Sequence, residues 1–257
     1  MAPAGGSDSP HDLIYGLHAV REALRAGARP LQRLLVLGTD RQFSDIVRLA
    51  RERRVPIHVE PRVAFDRLVS GGNHQGVVAV VAAKSYDQVE EILAAARAPG
   101  QVPFLVALDG VEDPHNLGAI LRTSESAGVQ GVFVPERRAV GLTSVVAKAS
   151  AGALDHMRVA RVVNMSRLIE QLKAADIWVY GLDAEANKPY TALDLRGPIA
   201  LVFGGEGKGV RPAVRDACDE VVRIPMLGKV SSLNVSAAAA AVLYEAVRQR
   251  GRNEAGD

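Results

Sequence analysis

Short apolar strands alternating with helices constrain the fold of this chain more than any other feature of its sequence. In the second half, strands without polar alternation are predicted at 104–108, 131–134, 157–159, 178–181, 199–203 and 220–224. Helices are predicted at 114–127, 144–150 and 166–174, and an alanine-rich helix follows from about 235 to 250. Strands that are apolar throughout are buried on both faces. The pattern therefore predicts an α/β domain built on a mainly parallel sheet.

A smaller α/β unit is predicted ahead of that domain, over residues 12–83. Its helices are expected at 17–26, 43–52 and 63–69, and its strands at 34–37, 57–59 and 77–82. A linker with its own helix is expected over 84–102, since Pro99, Gly100 and Pro103 interrupt the pattern there. The larger domain then covers 103–250, and residues 1–11 and 251–257 are expected to be disordered tails.

Three segments carry side chains suited to chemistry. The first, 108–128, turns from a strand into a helix through Asp-Pro-His-Asn and places an arginine on that helix. The second, 199–209, ends a strand in a glycine-rich loop around one acid, and glycines let a ligand approach the backbone. The third, 224–238, places Ser232 and Asn234 ahead of the C-terminal helix, where either side chain can cap it.

In this order the three segments resemble the three motifs of the SpoU (TrmH) family of RNA ribose 2′-O-methyltransferases. The resemblance spans nearly the whole chain, and 12–83 is similar to the ribosomal-protein-like substrate-binding domain of members that modify large-subunit rRNA. The run Asn73-His-Gln-Gly-Val is typical of that subgroup. The resemblance implies a trefoil-knotted, parallel-sheet SPOUT methyltransferase domain, S-adenosylmethionine as methyl donor, and a homodimer. It also implies methylation of a guanosine ribose in 23S rRNA during ribosome maturation.

The resemblance also assigns candidate roles to individual residues. Catalytic roles fall to Asn116, Arg122, Glu206, Ser232 and Asn234. The donor would be held by Leu182, Gly204, Gly205, Ile224, Met226, Ser232 and Leu233. Contacts with RNA are expected from Arg21, Arg25, Asn73, His74, Gln75 and Arg122. A bulky residue at Gly204 is expected to abolish donor binding without disturbing the fold, because its side chain would fill space that the donor needs.

The acceptor of the 2′-hydroxyl proton is left open by the sequence. The family mechanism assigns this role to the arginine that corresponds to Arg122. Because an arginine side chain holds its proton at neutral pH, Arg122 could instead stabilise the alkoxide or position a phosphate. The adjacent His115 is a further candidate, although its side chain could equally face solvent.

The net charge of +2 conceals an uneven distribution. Between His11 and Tyr86 there are twelve Lys and Arg against seven Asp and Glu. Eight arginines lie close together in this stretch: Arg21, Arg25, Arg29, Arg33, Arg48, Arg51, Arg53 and Arg54. A solvated helix surface explains such charge in most proteins, and a footprint for the RNA phosphate backbone is the alternative. The resemblance favours the second interpretation, with RNA affinity residing mostly in 12–83.

Other features of the sequence argue against several classes of protein. No apolar run approaches the roughly 20 residues that span a bilayer. Residues 1–10 lack the apolar core of a secretory signal. No Cys/His cluster suggests a metal site, and the single cysteine, Cys218, is expected to be a small buried side chain. These features are typical of a cytoplasmic protein that uses no metal.

Two alternatives remain beside methylation of 23S rRNA. The first is the same chemistry on a tRNA, against which the N-terminal domain argues, or on another rRNA nucleotide. The second is an RNA-binding assembly factor without turnover, against which the intact motif residues argue. The sequence specifies neither the nucleotide that is methylated nor whether free rRNA or an assembling subunit is the substrate.

Overall fold

The computed structural model describes residues 11–251, except 28, 39, 70, 71, 207 and 208. The chain divides into two compact units. The first consists of residues up to Ser85 together with Leu142–His156, and the second consists of Tyr86–Gly141 and the residues from Met157 onward. None of the described helices is long and apolar enough to cross a membrane.

The helices and strands follow the order predicted from the sequence, with a few additions. The strands are β1 (His11–Tyr15), β2 (Leu31–Val36), β3 (Ile57–Val59), β4 (Val77–Ala82), β5 (Phe104–Asp109), β6 (Gly131–Pro135), β7 (Val159–Val162), β8 (Trp178–Leu182), β9 (Lys188–Pro189), β10 (Ile199–Gly204) and β11 (Glu220–Arg223). The helices are α1 (Leu17–Ala26), α2 (Ser44–Glu52), α3 (Arg62–Val69), α4 (Val89–Ala96), α5 (Pro114–Ser126), α6 (Ser144–Ala149), α7 (Ala153–His156), α8 (Met165–Ala174), α9 (Pro212–Ala217) and α10 (Val235–Gly251).

The first unit is built on a four-stranded sheet in the order β1-β4-β2-β3. β4 runs antiparallel to β1 and β2, whereas β2 and β3 are parallel. One face of the sheet packs against α1 and α2, and Phe65 and Val69 of α3 pack against Leu35 and Val78 on the other face. β1 is absent from the sequence prediction, and it starts at His11, inside the segment expected to be a tail. Its mixed polar and apolar residues gave no apolar run.

The segment Leu142–His156 belongs to the first unit, although the sequence assigned it to the second domain. α6 contacts β1 and α7 contacts α1. The guanidinium of Arg29 donates from Nε to Asp155 Oδ1 at 2.7 Å and lies 3.3 Å from Asp12 Oδ2. Arg29 and Asp155 are both buried. The apolar pattern of 144–150 predicts a helix but not which sheet that helix covers, so the first unit proves discontinuous in sequence.

The second unit contains a seven-stranded sheet in the order β7-β6-β5-β10-β8-β11-β9. Every recorded strand pair in it is parallel, which confirms the predicted parallel sheet. The helix of the expected linker, α4, is part of this unit: Ile92 and Ala96 are fully buried in the same core as Leu105. Pro99 and Gly100 end α4 but do not detach it, because its apolar face packs on the sheet.

Candidate active site

The carboxyl ends of neighbouring strands bring the expected donor-binding positions together. Gly204 at the end of β10 is paired with Asp109 of β5, and Leu182 at the end of β8 is paired with both Phe203 and Val222. Ile224 directly follows β11. Ligands of parallel α/β sheets bind beyond the carboxyl ends of the strands. Leu182, Gly204 and Ile224 therefore lie at the edge where a ligand of this fold is expected.

The segment 224–233 connects this edge to α10. Among the described residues, no backbone hydrogen bond joins this segment to another part of the chain. Met226 is partly exposed, and Ser232 and Leu233 are exposed. Free backbone N–H and C=O groups beside apolar side chains are what an adenine ring requires, since the ring is flat, apolar on its faces and polar on its edges.

A pair of asparagines joins the N-termini of α5 and α10. Asn234 Nδ2 donates to Asn116 Oδ1 at 3.0 Å. Asn234 Oδ1 accepts from the backbone N–H of Ser236 at 2.9 Å, so Asn234 caps α10, as one of the two sequence alternatives predicted. Asn116 is buried in the first turn of α5. The amide of Asn116 is thus held by a residue 118 positions away in the chain.

The orientation of Asn116 is fixed from its other side by Asp113. Asp113 caps α5 by accepting from the N–H of His115 at 2.8 Å, and its other oxygen lies 3.5 Å from Asn116 Nδ2. An ionised carboxylate only accepts hydrogen bonds, so Asn116 must turn its nitrogen towards Asp113 and its oxygen towards Asn234. The three polar side chains therefore form one directed network.

The remaining candidate catalytic residues lie on the surface. Arg122, Glu206 and Ser232 are exposed, and the described residues give none of them a side-chain hydrogen bond. In particular, no contact of Glu206 with Asn116 or Arg122 is recorded, so the expected role of Glu206 in orienting these groups stays a prediction. An exposed guanidinium without a protein partner is available to a substrate, which is what a contact to ribose or phosphate requires.

The glycines of the loop after β10 are required by close backbone packing. A Cβ atom on Gly204 would lie 1.9 Å from the carbonyl carbon of Gly209 and 2.2 Å from the nitrogen of Val210. A Cβ atom on Gly205 would lie 2.1 Å from the carbonyl oxygen of Gly110. The expectation that a bulky residue at Gly204 would leave the fold intact is therefore wrong, because the side chain would meet backbone before it reached any ligand.

An ion pair that the sequence analysis missed lies at the same edge. The side chain of Asp109 is fully buried and accepts from the backbone N–H and Nε of Arg211, both at 2.8 Å, and from Nη2. The hydrogen bond to Asp109 raises the pKa of Arg211. Two signals were present in the sequence: a carboxylate ends an otherwise apolar strand, and an arginine stands just after the glycine-rich loop.

The loop expected to touch RNA is held mainly by contacts within the first unit. His74 is buried, its Nδ1 accepts from the N–H of Gly76 at 3.0 Å, and its Nε2 lies 3.1 Å from Asp66 Oδ1. Gln75 Oε1 accepts from the N–H of Leu17 at 2.9 Å and so caps α1. Of the three candidates in this loop, Asn73 and Gln75 are exposed, and only Asn73 has no recorded structural role.

Several arginines of the first unit already form ion pairs with acidic side chains of the same unit. Arg21 pairs with Asp45 at 3.0 Å, and Arg25 pairs with Glu22 at 2.9 Å. Arg29 is buried and cannot form part of a surface. Several others are exposed without a recorded acidic partner among the described residues, namely Arg33, Arg51 and Arg54. The expected contacts of Arg21 and Arg25 with RNA therefore stay a prediction that competes with these ion pairs.

Two family models match the chain. The model described as "SpoU rRNA Methylase family" matches residues 103–244. The model described as "RNA 2'-O ribose methyltransferase substrate binding" matches residues 13–87. Both of the regions distinguished in the sequence thus have a counterpart of known family.

Individual proteins are similar over the whole fold. The 23S rRNA (guanosine-2′-O-)-methyltransferase RlmB of Shewanella oneidensis is 42% identical over 244 residues, 93% of this chain and 98% of that protein. YacO of Bacillus subtilis, which is named for the TrmH family of tRNA/rRNA methyltransferases, is 43% identical over 93% of this chain and 96% of YacO. The SpoU methyltransferase AviRb of Streptomyces viridochromogenes, solved in complex with AdoMet, has a TM-score of 0.79 at 27% identity and covers 96% of this chain and 95% of its own.

The parallel α/β architecture of the second unit agrees with these matches. The family model of the methyltransferase covers more than half of the chain, and the relatives extend that likeness to the first unit. The chain therefore belongs to the SpoU (TrmH) family of RNA methyltransferases and carries the family's AdoMet-binding fold behind a substrate-binding domain.

Proposed function

We propose that this protein transfers the methyl group of S-adenosylmethionine to the ribose 2′-hydroxyl of a guanosine in 23S rRNA, as a step of ribosome maturation. The observation that carries the proposal is the convergence, at one edge of the parallel sheet, of Leu182, Gly204 and Ile224. The choice of a 23S rRNA guanosine is supported by the likeness to RlmB, whose name states that activity.

The methyl donor fits the residues at this edge. The adenine ring would lie against Leu182, Met226 and Leu233, with polar contacts from the unpaired backbone of 224–233. Gly204 and Gly205 let the backbone of this loop pack against Gly110, Gly209 and Val210. When bound, the donor supplies a methyl group on a positively charged sulfur, which is electrophilic enough that the proposal includes no metal.

Arg122 and the asparagine network would act on the acceptor ribose. Arg122 is exposed and offers up to five N–H donors in a planar fork, which suits a phosphate or a developing 2′-alkoxide. Asn116 and Asn234 would keep the first turns of α5 and α10 in register while the ribose is aligned with the methyl group. Glu206 and Ser232, both exposed beside the same edge, complete the proposed set of catalytic residues.

We propose that the active unit is a homodimer. Four large apolar side chains are exposed between the end of β11 and the middle of α10: Leu227 at 99%, Val230 at 68%, Leu233 at 42% and Tyr244 at 50%. In a dimer with two-fold symmetry the same patch of each subunit lies at the interface. A second copy of the chain would therefore bury these apolar side chains against the equivalent side chains of its own. Light scattering at micromolar concentration is expected to report a dimer, and an active monomer would contradict the proposal.

The function is tested by transfer of labelled methyl groups from S-adenosylmethionine to purified 23S rRNA and to tRNA, followed by mapping of the modified nucleotide. Label on a ribose of 23S rRNA is expected. Label on tRNA alone would favour the alternative substrate, which the name of YacO leaves open. RNA binding without transfer to either substrate would favour an assembly factor and reject the enzymatic proposal.

A further inference from the structure

The ion pair between Asp109 and Arg211 has no part in the proposed chemistry, yet it places a fully buried carboxylate at the candidate site. The Asp109 side chain has no solvent exposure, whereas 47% of the Arg211 side chain is exposed. Three N–H groups of Arg211 point at one carboxylate. Burying a carboxylate costs free energy that an ion pair rarely recovers, so such a pair is weak evidence of a contribution to stability. A role in fixing the conformation of the neighbouring loop accounts for this ion pair better than a contribution to stability.

The two residues hold both ends of the glycine-rich loop. At the first end, the carbonyl oxygen of Asp109 accepts from the N–H of Gly205 at 3.0 Å. At the second end, the carboxylate of Asp109 binds Arg211, which directly precedes α9. Between these ends the loop closes on itself, since Gly209 N–H donates to the carbonyl of Gly205 at 3.1 Å. One residue of β5 thus fixes where the loop departs and where it returns.

We propose that Asp109 and Arg211 are positioning residues for the methyl donor, which hold the loop of Gly204, Gly205 and Glu206 in the conformation that binds it. The inference rests on the proposed function of the loop. Its physical basis is directional: a guanidinium fork and a backbone N–H meet the carboxylate along three separate lines, which leaves the loop little freedom. Neither side chain is required to touch the donor.

The test uses the full-length protein with two single variants and a matched control. Asp109→Asn keeps the size of the side chain and removes its charge, and Arg211→Lys keeps the charge and removes the fork. Arg215→Lys is the control, because Arg215 lies on α9, which Arg211 directly precedes, is similarly exposed at 41% and pairs less closely with Asp183, at 3.4 Å. Calorimetry measures S-adenosylmethionine affinity, and hydrogen exchange measures the protection of the loop amides without donor.

Each variant of the pair is expected to weaken donor affinity by at least about tenfold, the cost of losing one charge-assisted hydrogen bond. Exchange of the amides of Gly205, Glu206, Gly209 and Val210 is expected to rise while exchange in β5 and β10 stays at the wild-type level. The double variant Asp109→Asn/Arg211→Gln should recover part of the affinity, since it restores hydrogen bonding without an unpaired charge. The control should match wild type in both measurements.

Unchanged donor affinity in either single variant would overturn the inference, as would exchange that rises equally in the strands. If Asp109→Asn does not fold, Arg211→Lys still tests the inference, because the Arg211 side chain is about half exposed and its replacement disturbs the core less. The proposed function is judged separately on the wild-type protein. Donor binding without methyl transfer to RNA would reject that function and leave this inference standing, whereas a wild type that binds no donor would reject both.

Discussion

Asn116 and Arg122 lie on the same helix but are held to very different degrees. Asn116 is buried and hydrogen-bonded to Asn234, with Asp113 on its other side. Arg122 is exposed and has no recorded side-chain partner among the described residues. A group that is fixed before the substrate arrives sets geometry, whereas a free guanidinium can close on the substrate as charge develops. The difference predicts different effects of substitution.

Replacing Arg122 by Ala is expected to lower kcat by about a hundredfold or more with little change in donor affinity, because the interaction strengthens only in the transition state. Single-turnover methyl transfer and calorimetry measure the two quantities. Glu125→Ala, an exposed change on the same helix, is the control. Arg122→Lys should be poor at every pH if Arg122 positions the ribose, and should recover in alkaline solution if Arg122 removes the proton. Full activity of Arg122→Ala would exclude both roles.

Cys218 is expected to be unreactive in the native protein. Burial raises the pKa of its thiol to about 12, so it stays protonated at pH 8 and is a poor nucleophile. Alkylation by iodoacetamide at pH 8 should be slow in buffer and fast in urea, and the single cysteine makes the signal unambiguous. Since the unfolded thiol loses its proton first, its contribution to stability should decline as pH rises above about 9. Rapid native labelling would contradict this.

At the scale of elements, the conformation of the loop after β10 depends on close contacts between backbone atoms. Gly204→Ala is expected to destabilise the protein by at least about 2 kcal/mol, because its Cβ meets the backbone of Gly209 and Val210, which cannot turn away as a side chain can. Gly228→Ala is the control, since a Cβ there meets nothing within 4 Å. Urea unfolding compares the two. Equal stability would show that the loop has room to move.

Periodicity predicted most elements to within a few residues but not which of them pack together. The apolar runs located β4 and β5 because burial on both faces leaves a continuous apolar sequence. The same reasoning missed β1, where polar and apolar residues mix, and it detached α4 from a core that Ile92 enters. Packing between distant segments leaves no local periodic signal, so these relations require the folded chain.

The candidate site was predictable to the extent that the motifs name its residues. Asn234 was expected to cap a helix, and it does, but its bond to Asn116 depends on two helix ends meeting in space. His74 was expected to touch RNA, yet its position between Phe65 and Asp66 gives it a structural environment. Asp109 was missed because an acid at the end of a strand cannot be assigned a role before its hydrogen-bond partner, here Arg211, is known.

At the scale of the whole molecule, the first unit depends on two distant parts of the chain. Residues 11–85 supply the sheet, and Leu142–His156 supplies α6, α7 and the buried partner of Arg29. A fragment that starts near residue 87 would keep this segment without the surface it packs on. Truncation therefore cannot separate RNA binding from catalysis cleanly, and point variants on the exposed arginines are the better test of where RNA binds.

Asp155→Ala is expected to lower the free energy of unfolding by about 3 kcal/mol, since the buried Arg29 then keeps Asp12, at 3.3 Å, but loses its closer acidic partner. Asp45→Ala is the matched control: it removes a carboxylate from Arg21, whose side chain is 29% exposed, and from the more exposed Arg48 of the same unit, and should change stability little. Urea unfolding followed by circular dichroism measures both. If Asp155→Ala lowers the free energy of unfolding no more than the control does, the buried pair of Arg29 and Asp155 does not stabilise the first unit.

The discontinuity of the first unit also bears on how the protein is made. Chains emerge from the ribosome N-terminus first at about 5–20 residues per second, and domains usually fold in the order of their synthesis. Here the last piece of the first unit emerges only after roughly 60 residues of the second, including β5, α5 and β6, a delay of several seconds. Until then β1 lacks its contact with α6, and α1 lacks its contact with α7. A nascent chain that is cleaved or stalled before residue 142 would therefore never contain a finished substrate-binding unit.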